Sequence, residues 1–244
     1  MTRRTLVCSA LAIFDSKRLA WISTPLASDH PAHIHWGDVD HEVNMGSLLK
    51  PFLVLAYGRT HGFFPIVRCR GFADRCWLPA GHGTQNIVDA LANSCNAYFC
   101  QLAKQLERAA LDSVCLAYGL STPSRDIAAD RLIGLNGGWP QQPARVAAAF
   151  SHVAQNRTDA NVRVVLAGMA RCASTGTARE IHLRCYAKTG TAHCSHSVMG
   201  ADDGFVVAIY PLDEPRTVVL LQRHDSTGAH AASYVRNSGV LSSS

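Results

Sequence analysis

Three short stretches of this 244-residue chain hold side chains whose types and spacing suit nucleophilic catalysis. In Ser47-Leu48-Leu49-Lys50 the hydroxyl and the amine lie at positions i and i+3, which at a helix start puts them on one face within reach of each other. A serine hydroxyl is a weak nucleophile without an adjacent base, and a lysine can be that base only when its amine is partly neutral. Burial and a second nearby cation both lower an ammonium pKa; Lys188 is the candidate second cation. Pro51 has no N–H and crowds the carbonyl four residues earlier, so it fits only near a helix's first turn. Ser47 is thereby placed at the helix amino end, where free N–H groups and the dipole favour developing negative charge. The other two stretches are Ser94-Cys95-Asn96 and Lys188-Thr189-Gly190-Thr191.

Each stretch alone has an ordinary reading: an N-capping serine, a polar turn and a strand-end turn. Their conjunction is more informative. Each occurs once, in this order, and together they use two of the four lysines, Lys17, Lys50, Lys104 and Lys188.

Such groups meet only if distant parts of the chain fold together. Residues 1–24 read as a β-hairpin, with apolar alternation up to Phe14, a polar turn from Asp15 to Arg18, and a second strand from Leu19 to Ser23. A short signal peptide over Leu6 to Phe14 is the competing reading; the hairpin is preferred because a charged turn and a second apolar stretch follow. Thr24 to Asn44 reads as a polar loop. From Ser47 to about Ala173 the periodicity is helical, predicting helices over Leu48–Tyr57, Ile87–Gln105, Ala144–Ala154 and Val162–Cys172 with no strand between them. After Gly176, apolar runs at His182–Ala187, Gly204–Tyr210 and Thr217–Gln222 predict three antiparallel strands, and Ala229–Val235 a closing helix. Two strands at one end and three at the other make one sheet if the ends meet. The expected fold is α+β, a single domain over 1–244. Residues 1–46 and 175–244 would form an α/β lobe with a five-stranded antiparallel sheet flanked by helices, and 47–174 an all-helical lobe. A ligand would sit in the crevice between them.

Composition narrows the function classes. The chain is 48% hydrophobic and 17% charged, enough apolar material for a sizeable core, and no apolar run approaches the roughly 18 residues that span a bilayer. The net charge of +5 comes from arginines spread along the length, the densest group being Arg68, Arg70 and Arg75, which does not mark a nucleic-acid surface. Two histidine groups, His30, His33, His35 and His41, and His193, Cys194 and His196, lack the spacing of a tetrahedral zinc site. No metal and no cofactor is expected.

The ordered serine-lysine, serine-asparagine and Lys-Thr-Gly set resembles that of penicillin-interacting enzymes. The whole chain resembles the transpeptidase domain of penicillin-binding proteins, most nearly the class B, elongation-type members with their β-lactamase/transpeptidase-like fold. Gly46-Ser47-Leu48-Leu49-Lys50-Pro51-Phe52 is similar to the family's nucleophile helix. Cys69, Cys76-Trp77, Gly81-His82-Gly83 and Ala90 to Phe99 are similar to the segment leading into its second motif. Trp139-Pro140-Gln141-Gln142-Pro143 stands where the family starts a helix with proline and glutamine, and Gly176-Thr177-Ala178 precedes the Lys-Thr-Gly strand as it does there.

The resemblance implies a serine D,D-transpeptidase or carboxypeptidase acting on D-alanyl-D-alanine stem peptides of peptidoglycan, acylated also by β-lactam antibiotics. Ser47 would be the nucleophile and Lys50 its base. Ser94 and Lys188 would carry the leaving-group proton, and Asn96 would hold the substrate amide. Backbone N–H groups of Ser47 and Thr191 would form the oxyanion hole, and Thr189, Thr191 and Lys188 would receive the terminal carboxylate along the strand that Gly190 continues. It implies an extracytoplasmic location and other cell-wall synthesis proteins as partners, although no signal or membrane anchor is clear in this chain. The 47-residue step from Ser47 to Ser94 is compact, which implies short substrate-gripping loops. A serine β-lactamase is the alternative enzyme, but Glu107, Glu180, Asp112, Asp126, Asp130 and Asp159, the acids between the second and third motifs, match no water-activating loop. A β-lactam-sensing module without turnover would carry the same motifs.

Among nine cysteines, the family's habit of placing cysteines here and its oxidising location make Cys69–Cys76 a candidate disulfide, stabilising by about 2.5 kcal/mol through loop entropy. Two free buried thiols are the alternative. Cys95, Cys100, Cys115, Cys172 and Cys185 read as core residues.

Overall fold

The structure, a computed structural model, describes residues 19–27, 30–193 and 201–236. The first strand of the expected hairpin, the competing signal-peptide reading, and Cys194 with His196 lie outside the described residues.

One five-stranded antiparallel sheet organises the fold. Its strands are β1 (Leu19–Pro25), β2 (His33–His35), β5 (Tyr186–His193), β6 (Asp202–Tyr210) and β7 (Thr217–Arg223), in the spatial order β2-β1-β7-β6-β5. The two ends of the chain meet where β1 pairs with β7 over Leu19↔Arg223 to Pro25↔Thr217. β6 reads as an unbroken apolar run because both faces are covered. Phe205, Val207 and Ile209 face the main helical core, while Val206 and Ala208 face a second core shared with Ala231, Ala232 and Val235.

The central helix α1 (Lys50–Thr60) is buried at every residue from Lys50 to Tyr57, so its sequence is apolar all round rather than striped. Phe52 anchors it, edge-on to Tyr118 of α4 (Arg108–Tyr118) at 5.6 Å and to Phe150 of α6 (Pro143–Gln155) at 5.2 Å between ring centroids. Between α1 and α4 run the short hairpin β3 (Val67–Cys69) and β4 (Gly83–Gln85), then α2 (Ile87–Ala92) and α3 (Asn96–Lys104). The remaining helices are α5 (Ala129–Leu132), α7 (Ala160–Ser174), which lies along α2 and β5, and α8 (Gly228–Ala232), which covers β5, β6 and β7. No helix among the described residues is long and apolar enough to cross a membrane.

The structure corrects several element boundaries. Strand β2 lies in the segment read as a polar loop, and its three residues are all exposed, so it carries no apolar alternation. The β3–β4 hairpin interrupts the region read as wholly helical, each strand being three residues long and too short for a period to register. The helix expected over Ile87–Gln105 is two helices broken at Asn93 to Cys95. The strand expected from His182 starts at Tyr186, because His182 closes a 3₁₀ turn with φ +51°.

Candidate active site

Three elements converge on one cavity. Ser47 sits partly exposed in the 3₁₀ turn Gly46–Leu49, which runs straight into α1 with Pro51 in its first turn. Strand β5, at the sheet edge, lies against that turn. The approach is so close that a Cβ on Gly190 would come within 2.2 Å of the Met45 carbonyl oxygen, which is why only glycine fits there. The break between α2 and α3 supplies the third side, with Ser94 in the left-handed region at φ +52°, a conformation that costs a non-glycine residue free energy.

Lys50 and Lys188 are both fully buried beneath the cavity. The Lys50 ammonium donates to the Ser94 carbonyl at 3.0 Å, to Asn96 Oδ1 at 2.6 Å and to Ser94 Oγ at 3.4 Å. Lys188 Nζ donates to Ser94 Oγ at 2.9 Å and to the Thr189 carbonyl at 2.7 Å. The Ser94 hydroxyl therefore joins the two amines. Burial first, and the Lys188 charge second, bring the Lys50 amine down from 10.5 to about 7; burial brings Lys188 down to about 8. Two amines poised near neutrality around one hydroxyl make a proton relay suited to acid–base work.

The cavity, about 350 Å³, is lined by Ser47, Ser94, Asn96, Thr189, Gly190 and Thr191, and by Trp77, Thr177 and Thr227. All eight residues singled out in the sequence as catalytic or substrate-binding thus lie in this cavity wall or directly beneath it. Asn96 Oδ1 is taken by Lys50, which leaves its Nδ2 free to donate. The Thr191 hydroxyl accepts from the Gly228 N–H at 2.9 Å and so turns its own proton outward. The Thr189 hydroxyl is 2.6 Å from that of Thr177. Thr177 and Thr227 were not identified as functional from the sequence; the only signal was the position of Thr177 ahead of the Lys-Thr-Gly strand.

Cys69 and Cys76 are both free thiols, which corrects the candidate disulfide. Each sulfur turns instead to His82 Nδ1, at 3.6 and 3.5 Å. Cys95, read from the sequence as a core residue, brings its sulfur to 3.9 Å from that of Cys76. The donor atoms of these four residues lie within 4.8 Å of one another and could hold a metal ion.

No curated protein matches the chain. Among solved structures it is similar to Pseudomonas aeruginosa PBP2 in complex with WCK 5153 (TM-score 0.76, 17% identity, 96% of this chain and 76% of that one). It is also similar to the transpeptidase domain of Burkholderia pseudomallei penicillin-binding protein 3 (TM-score 0.74, 15% identity, 98% and 91%), and to Helicobacter pylori PBP2 in its complex with MreC (TM-score 0.72, 15% identity, 97% and 62%). At these identities the likeness establishes the fold, and the five-stranded α+β architecture is that of these domains. Residues 15–239 match the penicillin binding protein transpeptidase domain family, and the chain belongs to that family.

Proposed function

We propose that the protein is a serine acyl-transfer enzyme acting on D-alanyl-D-alanine stem peptides of peptidoglycan, and that Ser47 is its nucleophile. The observation that carries this reading is the convergence of the Lys50 and Lys188 ammonium groups on Ser94 Oγ beside the cavity that Ser47 lines. Ser47 Oγ attacks the carbonyl of the penultimate D-alanine while neutral Lys50 takes its proton. The oxyanion is met by the N–H groups of Ser47 and Thr191. The tetrahedral intermediate collapses, the C–N bond breaks, and a proton passed through Ser94 with Lys188 reaches the departing amine of the terminal D-alanine. Asn96 Nδ2 holds the substrate amide, and the Thr189 and Thr191 hydroxyls with the Lys188 charge receive the carboxylate. An amine acceptor then gives a cross-link, and water gives a shortened peptide. No carboxylate is among the described residues lining the cavity, which supports slow hydrolysis of a β-lactam adduct.

Family membership supports an extracytoplasmic setting, and the likeness to a PBP2 solved with MreC supports a cell-wall synthesis partner for this chain too. The sheet favours grouping 1–46 with 175–244 in one lobe and 47–174 in the other. Incubation with a D-alanyl-D-alanine pentapeptide, with and without a D-amino acid acceptor, tests the proposal by mass spectrometry. Release of D-alanine and an acceptor-exchanged peptide are expected. A protein that is acylated by penicillin yet leaves the peptide untouched would be a sensor rather than an enzyme.

A further inference from the structure

We propose that a second cavity beside the catalytic one is a subsite for the upstream part of the donor peptide. It takes a peptide with an ammonium group close to its penultimate D-alanine and a free carboxylate further back. This inference rests on the serine reading above, which sets the direction in which the peptide runs.

The second cavity measures about 750 Å³, within the range of ligand pockets. It adjoins the first: Leu135 lines both, and at the start of α3 Asn96 lines one and Ala97 the other. From that junction a single stripe of α3, Ala97, Cys100, Gln101 and Lys104, makes one long side of the groove, at the spacing that shares a helix face. Asn96 and Lys104 are eight residues apart, about 12 Å along the helix, close to the reach of three or four extended peptide residues. The other walls come from the 3₁₀ turn Gly71–Asp74 with Arg75, and from Asp130 with the segment through Asn136. The junction is pinned to the nucleophile turn, because a Cβ on Gly134 would come within 2.3 Å of the Gly46 carbonyl oxygen. Leu135 therefore keeps its place beside Ser47.

Direction follows from the mechanism. The terminal carboxylate lies at Thr189, Thr191 and Lys188, and the departing amine leaves toward Ser94 and Lys188. Asn96 holds the amide on the acyl side, so the donor chain leaves the catalytic cavity past Asn96 and meets this groove. An acceptor amine takes the place of the departing one and enters from the opposite side, so the groove belongs to the donor.

The charges in the groove are unequal in their freedom. Asp74 is already neutralised by Arg70 at 2.7 Å. Asp130 is bonded only by neutral donors, the Arg131 N–H at 2.8 Å and Asn136 Nδ2 at 2.7 Å, so its charge is open to a cation. The Arg75 guanidinium and the Lys104 ammonium form no hydrogen bond or ion pair among the described residues, and Arg75 is held at φ +55°, a left-handed conformation with a free-energy cost. The order matters. The Leu135 N–H donates to the Asp130 carbonyl at 3.0 Å, which sets Asp130 at the catalytic end, while Lys104 closes α3 at the far end. An ammonium is thus received first, by Asp130, and a carboxylate further along, by Lys104 and Arg75. A peptidoglycan stem presents its charges in that order: a diamino acid ahead of the two D-alanines, and ahead of it a γ-linked glutamate whose α-carboxylate is free.

Release of D-alanine from three synthetic pentapeptides tests the subsite: a stem with both charges, the same stem with its side-chain amine acetylated, and the same stem with its glutamate carboxylate amidated. On the wild type each blocked peptide is expected to lose about tenfold in kcat/KM, and 0.5 M salt should shrink that loss. The double variant Arg75→Ala, Lys104→Ala should lower kcat/KM for the unblocked stem by about tenfold relative to its own rate of acylation by benzylpenicillin, and should cease to distinguish the amidated peptide. Asp130→Asn should cease to distinguish the acetylated one; the acetylated peptide on the wild type reads the same contact without altering the fold. Equal kcat/KM for all three peptides on the wild type, or variants that slow all three peptides and penicillin alike, overturns the subsite and leaves the serine reading standing. A folded wild-type chain with no penicillin adduct, or with an adduct but no D-alanine released from any peptide, overturns the serine enzyme and the subsite with it.

Discussion

At Ser94 one hydroxyl serves two ammonium groups, and the state of those amines sets the pH behaviour. Lys50 acts as a base only when neutral, so acylation should rise as pH climbs through about 7. Lys188 must keep its proton to hold a carboxylate and supply the leaving group, so the rate should fall as pH passes about 8. The profile of kcat/KM for acylation against pH is expected to be a narrow bell whose limbs belong to the coupled pair. Lys50→Met should remove the acidic limb and slow acylation by about 10²–10⁴-fold; a rising limb that survives the substitution would contradict the assignment. Stability follows the same groups. Unfolded lysines stay protonated to about 10.5 whereas the folded amines lose their protons near 7 and 8, so between these values the unfolded state binds more protons and stability rises with pH. Above about 9 the buried thiols of Cys115 and Cys185, both pushed up to about 12, act in the opposite sense. The urea midpoint should therefore climb from pH 7 to about pH 8.5, and climb less in Lys188→Met. The motif residues were legible because each motif is contiguous. Thr177 was not, since its partner, Thr189 of β5, is brought in by the fold.

At the scale of elements, the nucleophile turn is held between β5 and the buried helix α1. Gly190→Ala puts a Cβ into the Met45 carbonyl, so β5 must move off the Gly46–Leu49 turn, opening the oxyanion hole. Acylation is expected to drop by about 100-fold or more, the scale of losing one oxyanion donor, with the thermal melt changing far less than the rate. Phe52→Ala tests the other support. It empties a fully buried site between Tyr118 and Phe150, and urea unfolding should record a loss of about 3–5 kcal/mol. Long elements such as α7 and β6 announced themselves by apolar period or apolar run. The β3–β4 hairpin did not: three residues per strand carry no period, yet this hairpin carries Cys69 and positions His82.

For the whole molecule, the central inference from sequence was that the two ends of the chain join in one sheet, and the pairing of β1 with β7 realises it. That closure seats the Lys-Thr-Gly strand at the sheet edge facing the helices that carry the other two motifs. The identity of the fifth strand was hidden because β2 is short and fully exposed, so no burial pattern marks it. Everything proposed for the cavity requires Ser47 to form a covalent bond. Incubation with benzylpenicillin followed by intact mass, on the wild type and on Ser47→Ala, measures that bond directly. A stable adduct with the mass of one penicillin is expected on the wild type and none on Ser47→Ala. An adduct that persists on Ser47→Ala, or none on a folded wild-type chain, would contradict it.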